Sequence, residues 1–512
     1  MRFKVKNLDV STGGTPIVII DERDAKKYNI YFGDRISIHH AKKEIIAIVD
    51  IANISSKDSK LPKHRPFKEI VHGTVGFMIE VSEKLAVKDG TVVTLELENK
   101  PKSLEFIKAK LEGKKLTFDQ VNTIVKEIVE KRLTDIELTY FVSGSYVNGL
   151  DMDEAVFLTK AIVENGDKIK FENQKVIMDK HCIGGVPGNR TTMIVVPIIA
   201  LLGLYIPKTS SRSITSPAGT SDTVEVLANV TLDAKKIKSI VEKTNGCLVW
   251  GGGVNLASAD DKLIKVRHPL SLDPRGMLLA SIMAKKHSVS ATHVLIDIPV
   301  GKGAKIEDMR TAKELKGQFE EISRRLGMKT KVIITDGSSP IGRGIGPALE
   351  ARDVLYTLMN DEKGSKDLKE KAIGLACEMY LLSGLTNDRK AAESKIRELY
   401  DSGAVLGKFK EILTAQGAKV IDPEKITLGN YKGEVYAKES GTVKFIDNKK
   451  ISNVARIAGA PQDKTAGLLL SVAVGKKVNK GDVLFTVYSD SKDKFNFAIS
   501  KADSDCPVMI SK

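Results

Sequence analysis

The chain is poor in cysteine and in aromatic residues, and it lacks any long apolar run. Its four cysteines, Cys182, Cys247, Cys377 and Cys506, form no CxxC pair and no Cys/His cluster at zinc spacing among 512 residues. A disulfide framework and a structural zinc are thereby excluded as organising features, and no metal is expected. The longest strongly apolar stretch, 193–206, is broken by Pro197 and Gly203 and is shorter than the ~20 residues a membrane span needs. The first residues, Met-Arg-Phe-Lys-Val-Lys, alternate charged and apolar side chains and lack the apolar core of a secretion signal, so a cytoplasmic protein is expected. Aromatic residues make up only 5%, and no basic segment interleaves with stacking rings as in single-strand binders. Neither a nucleic-acid partner nor a membrane is expected.

What the chain has in excess is positive charge. Eighty Lys+Arg oppose 65 Asp+Glu, a formal charge of +15, which biases association toward anions without naming one. With 42% apolar residues and ordinary glycine and proline, a chain of this length builds several packed domains.

Residues 1–98 read as a β-rich, barrel-like domain, with alternating runs at 15–20, 35–38, 44–49 and 91–97. Ile30-Tyr-Phe-Gly33-Asp-Arg-Ile36-Ser-Ile38 recurs 57 residues later as Val87-Lys-Asp-Gly90-Thr-Val-Val93-Thr-Leu95. A pseudo-symmetric small barrel would produce that repeat, and so would two unrelated turn-strand segments. Residues 99–170 read as helical. Thr117 with Gln120 and Thr134 with Glu137 are capping-box signatures, and Asp153 is the expected cap of a third helix ending near Asn165. Residues 171–430 alternate short apolar strands with helices, the pattern of a mixed or parallel α/β sheet, and the late helices could pack with the helical domain. Residues 431–512 return to short strands with glycine turns.

Three segments carry chemistry. In the first, Val176-Ile-Met-Asp-Lys-His-Cys-Ile-Gly-Gly-Val-Pro-Gly-Asn-Arg-Thr-Thr192, an apolar strand is expected to give way to a basic glycine-rich turn and then a helix near Thr191. Glycines admit an anion to the backbone, and Lys180 with the helix amides offers charge and donors for phosphate. The Gly-Lys-Ser/Thr ending of a nucleotide-triphosphate loop is absent. A purely structural turn is the competing reading. In the second, Lys208-Thr-Ser-Ser-Arg-Ser-Ile-Thr-Ser-Pro-Ala-Gly-Thr-Ser-Asp222, six hydroxyl residues precede Pro217 around Arg212, a set suited to phosphate and ribose, or to a solvated linker. In the third, Asp273 stands in Arg267-His-Pro-Leu-Ser-Leu-Asp-Pro-Arg-Gly276, followed by Ser281, Lys285 and Lys286 at helical spacing. A carboxyl there could protonate a departing base, and Asp-Pro is equally an ordinary helix start.

Together these segments, with Asp297-Ile-Pro-Val-Gly-Lys-Gly-Ala and Thr335-Asp-Gly…Gly342-Arg…Ala348-Leu-Glu-Ala-Arg, resemble the thymidine/pyrimidine nucleoside phosphorylase family over about residues 100–500. The resemblance implies a type II nucleoside phosphorylase fold, a helical domain plus an α/β domain. The stretch 467–484 looks like that family's lipoyl-like C-terminal sandwich, without a Met-Lys-Met attachment hairpin. Two departures stand out. Val266 occupies the place of a pyrimidine-contacting arginine, with Arg267 adjacent, and the second loop reads Ser-Ile-Thr-Ser-Pro-Ala in place of a glycine-rich form. With the added N-terminal domain, the chain resembles the archaeal branch of the family that uses nucleoside 5′-monophosphates.

That resemblance implies a pentosyltransferase converting AMP and inorganic phosphate to adenine and ribose 1,5-bisphosphate, with CMP and UMP as further substrates and no cofactor. Thymidine/pyrimidine nucleoside phosphorylase is the alternative. By the resemblance, Lys180, Ser210 and Thr220 grip inorganic phosphate. Gly185, Ser211, Arg212, Ser213, Ile214, Thr215, Ser216, Thr220, Ser281 and Lys305 hold AMP, and Asp273 is the proton donor. Lys285 matches a base-contacting lysine of the pyrimidine enzymes, with no fixed role toward a purine, and His181 is implied either as a second acid or as a ribose contact. A homodimer or larger homo-oligomer is expected.

Overall fold

The computed structural model describes residues 1–53, 67–172, 174–213, 216–254, 256–270 and 272–511. Contacts divide the chain into two units, one formed by Met1–Gly149 with Lys262–Pro274, the other by Leu150–Asp261 with Arg275–Lys512.

The first unit begins with six strands, β1 (Arg2–Asn7), β2 (Ile17–Asp21), β3 (Arg35–His40), β4 (Lys43–Ala52), β5 (Thr74–Phe77) and β6 (Val92–Leu97), and two short helices, α1 (Glu22–Tyr28) and α2 (Ile79–Leu85). They close into a barrel of order β1-β5-β2-β4-β3-β6. Closure leaves no sheet edge unpaired and turns alternate residues inward, burying Phe3, Val18, Ile36, Val49, Phe77 and Leu95. The repeat seen in the sequence is the symmetry of this barrel. β2, α1 and β3 start 57 residues before β5, α2 and β6. The equivalent turn glycines Gly33 and Gly90 have φ of +83° and +81°, a region in which a side chain is strained.

Helices α3 (Ser103–Leu111), α4 (Phe118–Val129) and α5 (Asp135–Val147) complete this unit with the end of α10 (Ser258–Arg267). Both expected capping boxes are formed, at Thr117 and Thr134.

In the second unit, α6 (Met152–Glu164) is capped by Asp151, whose box partner is Glu154. The expected cap, Asp153, sits inside the first turn and pairs with Arg325 instead. The sheet follows. β7 (Met178–Cys182), β10 (His293–Val300) and β11 (Lys329–Asp336) are parallel in the order β11-β10-β7. β8 (Ile206–Ser210) and β9 (Gly246–Trp250) form a parallel pair, and a bridge between Ile177 and Tyr205 links the pair to β7. α7 (Thr191–Leu201), α8 (Thr220–Leu227), α13 (Pro347–Leu358), α14 (Lys366–Leu382), α15 (Arg389–Asp401) and α16 (Ala404–Ala415) bury one apolar core with the sheet. α6, α9 (Ala234–Thr244), α11 (Arg275–Ser288) and α12 (Met309–Arg325) bury the other. Cover on both faces explains why the strands read as continuous apolar runs and not as alternating ones.

The chain ends in two small antiparallel sheets. One pairs β12 (Gly344–Ile345), β15 (Gly467–Leu470), β17 (Val483–Ser489) and β13 (Tyr431–Tyr436), and the other pairs β16 (Lys477–Val478), β14 (Gly441–Ile446) and β18 (Val508–Ser511). They share a core with α17 (Asn448–Ala458) and α18 (Lys492–Ser504). No helix among the described residues is long and apolar enough to cross a membrane.

Candidate active site

Parallel register brings the first and fourth sequence motifs to one sheet edge. Cys182 at the end of β7 lies opposite Asp297 in β10, and Ile183 N donates to the Asp297 carbonyl at 3.0 Å. β10 in turn carries Pro299 opposite Thr335 of β11. Thr335 Oγ1 donates to Asp297 Oδ1 at 2.6 Å, and Lys371 Nζ donates to Thr335 Oγ1 at 3.1 Å. Ligand loops of parallel sheets gather at such carboxyl ends.

The strand runs further than the sequence indicates. Lys180 is not in the glycine-rich turn but inside β7, 1% exposed, because pairing with β10 continues through Cys182. Its Nζ donates to Thr191 Oγ1 at 2.9 Å and lies 3.4 Å from Thr192 Oγ1, at the first turn of α7. Burial lowers its pKa. A cation at the positive end of a helix dipole is poorly neutralised, so an anion placed there is attracted by both.

The turn itself is fixed by backbone. Gly185, at φ +87°, lies so close to the 304–305 segment that a Cβ would fall 2.1 Å from Lys305 N, and one on Gly188 would fall 2.2 Å from the Ile341 carbonyl. Two expected AMP contacts, Gly185 and Lys305, are therefore neighbours. Arg190 crosses to the second loop. It pairs with Glu350 of α13 and donates to the Ala218 carbonyl at 2.6 Å, while Thr223 Oγ1 also donates to Glu350, at 2.9 Å.

Beside Lys180, on β7 and β8, sits a buried charge cluster. Lys286 Nζ lies 2.8 Å from Asp179 Oδ2, and Lys208 Nζ lies 3.7 Å from Oδ1 of the same carboxylate. Two buried ammoniums share one carboxylate, and Lys208 donates to the Thr209 carbonyl as well. Burial, then repulsion from Lys286, pushes the Lys208 pKa down to about 7. Burial and the same lysines hold His181 well below the usual histidine range, so its imidazole is neutral near pH 7. Burial raises the Cys182 thiol to about 11, which makes it a poor nucleophile.

The second loop is organised by carboxylates. Ser210 Oγ and Ser221 Oγ are 2.8 Å apart, and Ser210 also donates to the Val249 carbonyl at 3.2 Å. Asp222 accepts from Ser213 N at 2.7 Å and Gly219 N at 2.9 Å, closing the loop on itself. Thr220 opens α8, Ser211 is exposed, and Ser216 Oγ donates to the Ala218 carbonyl at 3.0 Å. Ile214 and Thr215 lie outside the described residues. Arg212 makes two 2.6 Å bonds to Glu225, is 3.4 Å from Asp222 and stacks 4.7 Å over the ring of Trp250, the chain's one tryptophan. Glu225 is held down to about 2 by Arg212 first and by Lys464 after burial's opposing effect.

Ser281 and Lys285 share one partner. Ser281 Oγ donates to Asp260 Oδ2 at 2.7 Å and Lys285 Nζ lies 2.7 Å from the same oxygen. Asp273 belongs to the first unit, where its Oδ1 is 3.5 Å from Arg267 Nη1. Sequence reasoning missed the roles of Glu350, Glu225, Trp250 and Lys464. The first lies inside a motif that had been noted, and the second follows the serine loop by one helical turn. Lys464 has no local signal. No cluster of three His, Cys, Asp or Glu among the described residues could hold a metal ion.

Comparison with known proteins decides the family. The helical bundle domain of a glycosyl transferase family matches residues 104–166, its a/b domain matches 174–406, and a pyrimidine nucleoside phosphorylase C-terminal domain matches 442–508. The AMP phosphorylase of Pyrococcus furiosus is 45% identical over 511 residues, covering 100% of this chain and 98% of that protein. AMP phosphorylase 1 of Archaeoglobus fulgidus is 43% identical over 514 residues, with the same coverage. This chain belongs to the AMP phosphorylase family. An anthranilate phosphoribosyltransferase structure from Thermus thermophilus aligns with 60% of this chain and 98% of that one, at TM-score 0.52 and 15% identity. That likeness is one of fold. It spans about as much of the chain as the helical and α/β sections, and the AMP phosphorylase relatives, by their coverage, match the barrel as well.

Proposed function

We propose that the protein catalyses phosphorolysis of AMP to adenine and ribose 1,5-bisphosphate, with CMP and UMP as further substrates. The observation that carries this reading is similarity along the whole chain to AMP phosphorylases. The C1′–N bond breaks as an oxygen of inorganic phosphate bonds to C1′. The base leaves with the bonding electrons and takes a proton, so no electrons pass to a cofactor. Between them lies an oxocarbenium-like state that demands an anion held near C1′ and a proton delivered to the base.

In this reading Lys180, Ser210 and Thr220 hold inorganic phosphate, the first beside the start of α7. Gly185, Ser211, Arg212, Ser213 and Ser216 hold the nucleotide together with Ile214 and Thr215, and Thr220 touches both ligands. Ser281 and Lys305 complete the AMP contacts, and Asp273 gives the proton to the base. Arg212 answers the 5′-phosphate by exchanging the carboxylate of Glu225 for a dianion, a swap that a guanidinium makes without change of geometry. AMP and phosphate are cytoplasmic metabolites, and we place the protein there as a homo-oligomer, a state that mass measurement in solution tests.

Purified protein given AMP and phosphate should release adenine, with ribose 1,5-bisphosphate visible by phosphorus NMR. Absence of adenine release, or equal turnover of thymidine or uridine, overturns the reading. Asp273→Asn should cut kcat by about 10²–10⁴ with AMP affinity retained, the span that general acid catalysis supplies. Near-normal turnover in that variant removes Asp273 as the donor.

A further inference from the structure

Lys464 lies between α17 and β15, far along the chain from the serine loop, yet its ammonium enters the network around Arg212. Its Nζ is 2.5 Å from Glu225 Oε2 and 3.5 Å from Asp222 Oδ1. Its backbone leaves little freedom. The Lys464 carbonyl accepts from Ala348 N at 3.0 Å, and β12 pairs with β15 just beyond. A Cβ on Gly346 would fall 2.4 Å from the Ala466 carbonyl, and one on Gly467 would fall 2.0 Å from the Ile345 carbonyl. The C-terminal section is thus strapped to the start of α13, the helix whose Glu350 pairs with Arg190.

The network has two cations, Arg212 and Lys464, and two carboxylates, Asp222 and Glu225. Asp222 also closes the serine loop through Ser213 N and Gly219 N. If Arg212 turns from Glu225 to another anion, Lys464 is the ion-pair partner that stays on the Glu225 carboxylate among the described residues, while Lys419 Nζ donates to the Glu225 main-chain carbonyl at 3.3 Å. Without Lys464 the network carries a net negative charge, which both holds Arg212 back and repels an incoming dianion.

We propose that Lys464 is a positioning residue for nucleotide recognition, keeping Glu225 and Asp222 neutralised so that Arg212 can engage the 5′-phosphate. The proposal rests on the reading that Arg212 meets that group. It gives the C-terminal section a part in substrate selection without contact to the reacting atoms.

Calorimetry on the full chain with AMP and with adenosine tests it, in the wild type and in Lys464→Met, Lys464→Arg and Arg212→Met, each checked by thermal unfolding. Lys464→Met should weaken AMP about fivefold or more, the range of an ordinary coupling between groups. Adenosine affinity and kcat at saturating AMP should hold, and Lys464→Arg should restore AMP binding. If Lys464→Met binds AMP like the wild type, or loses AMP and adenosine alike, the proposal falls. If Lys464→Met fails to fold, Lys464→Arg must still prefer AMP over adenosine as the wild type does, and loss of that preference also overturns it. Arg212→Met separates the two layers. When it keeps the wild-type preference for AMP over adenosine, the reading of Arg212 fails and takes the proposal with it. When it abolishes that preference and Lys464→Met does not, only the role of Lys464 is lost.

Discussion

The turn after β7 and the loop after β8 leave neighbouring strands at one edge of the sheet, yet different forces hold them. In the first, backbone lies against backbone at Gly185 and Gly188, where no side chain fits, and Lys180 is buried beneath. In the second, backbone closes on backbone at one place, Gly219 against Ser211–Ser213, and carboxylates and cations do most of the holding, with Arg212 and Lys464 about one-third exposed around Asp222 and Glu225. Backbone contacts have no alternative partner, whereas charges can exchange one. A turn built the first way suits groups that do not vary, inorganic phosphate over Lys180 and the part of the nucleotide that Gly185 is proposed to hold. A loop built the second way suits a substrate whose phosphate must displace an existing partner.

The sharpest way to break this contrast is Gly185→Ala. The added methyl meets Lys305 N at 2.1 Å, from a φ of +87° that alanine rarely adopts. Strain and overlap together should cost about 3 kcal/mol or more, seen as a fall of Tm, with the KM for AMP raised in whatever protein folds. If Gly185→Ala melts like the wild type, the first turn is not held by close backbone contact and the comparison fails.

These two loops were not equally legible in the sequence. Local rules carried the helix starts: Thr117 with Gln120 and Thr134 with Glu137 cap their helices because the partners are three residues apart. The same rule missed by two residues at Asp151, since Asp151 and Asp153 both suit a cap and only Asp151 has Glu154 three places on. The glycine-rich turn was visible as composition. Its true start was not, because whether Lys180 belongs to strand or turn depends on pairing with β10, more than a hundred residues later. The pairing of Arg212 was hidden for the same reason. Helical spacing from Asp222 points to Glu225, but Lys464 reaches the loop through the strapping of β15 to β12.

The layer beneath both loops offers a second test. Lys208 is buried with an ammonium that titrates near pH 7, against 10.5 for the free side chain. Between those values the unfolded chain binds a proton that the folded chain does not, so this residue makes stability rise with pH; at and below pH 7 its cost is complete. Lys208→Met should therefore stabilise the protein by about 1–3 kcal/mol near pH 7, because it removes the excess buried charge and leaves Asp179 paired with Lys286. The gain should shrink toward pH 10. A destabilised variant, or a gain that grows with pH, would show that the cluster with Asp179 holds the fold and is not a strained feature kept for the site.

The smallest effect belongs to the second loop and decides whether its ion pairs are structural. Glu225 is partly exposed, so its pairing with Arg212 and Lys464 contributes little to folding, about 1 kcal/mol or less. Its carboxyl titrates near 2 in place of 4.5, so whatever it adds is present above about pH 4.5 and disappears as pH falls toward 2. Glu225→Gln keeps the shape and removes the charge, which leaves Arg212 with Asp222 alone. Stability should then fall slightly at neutral pH, and the difference from the wild type should vanish in acid. If Arg212 meets the 5′-phosphate as proposed, AMP should bind more tightly, because the dianion would no longer compete with a carboxylate for the guanidinium. Tighter AMP with near-normal stability means that the ion pair is there to be exchanged. A large loss of stability with weaker AMP would mean that the second loop is as fixed as the first, held by charge where the other is held by backbone.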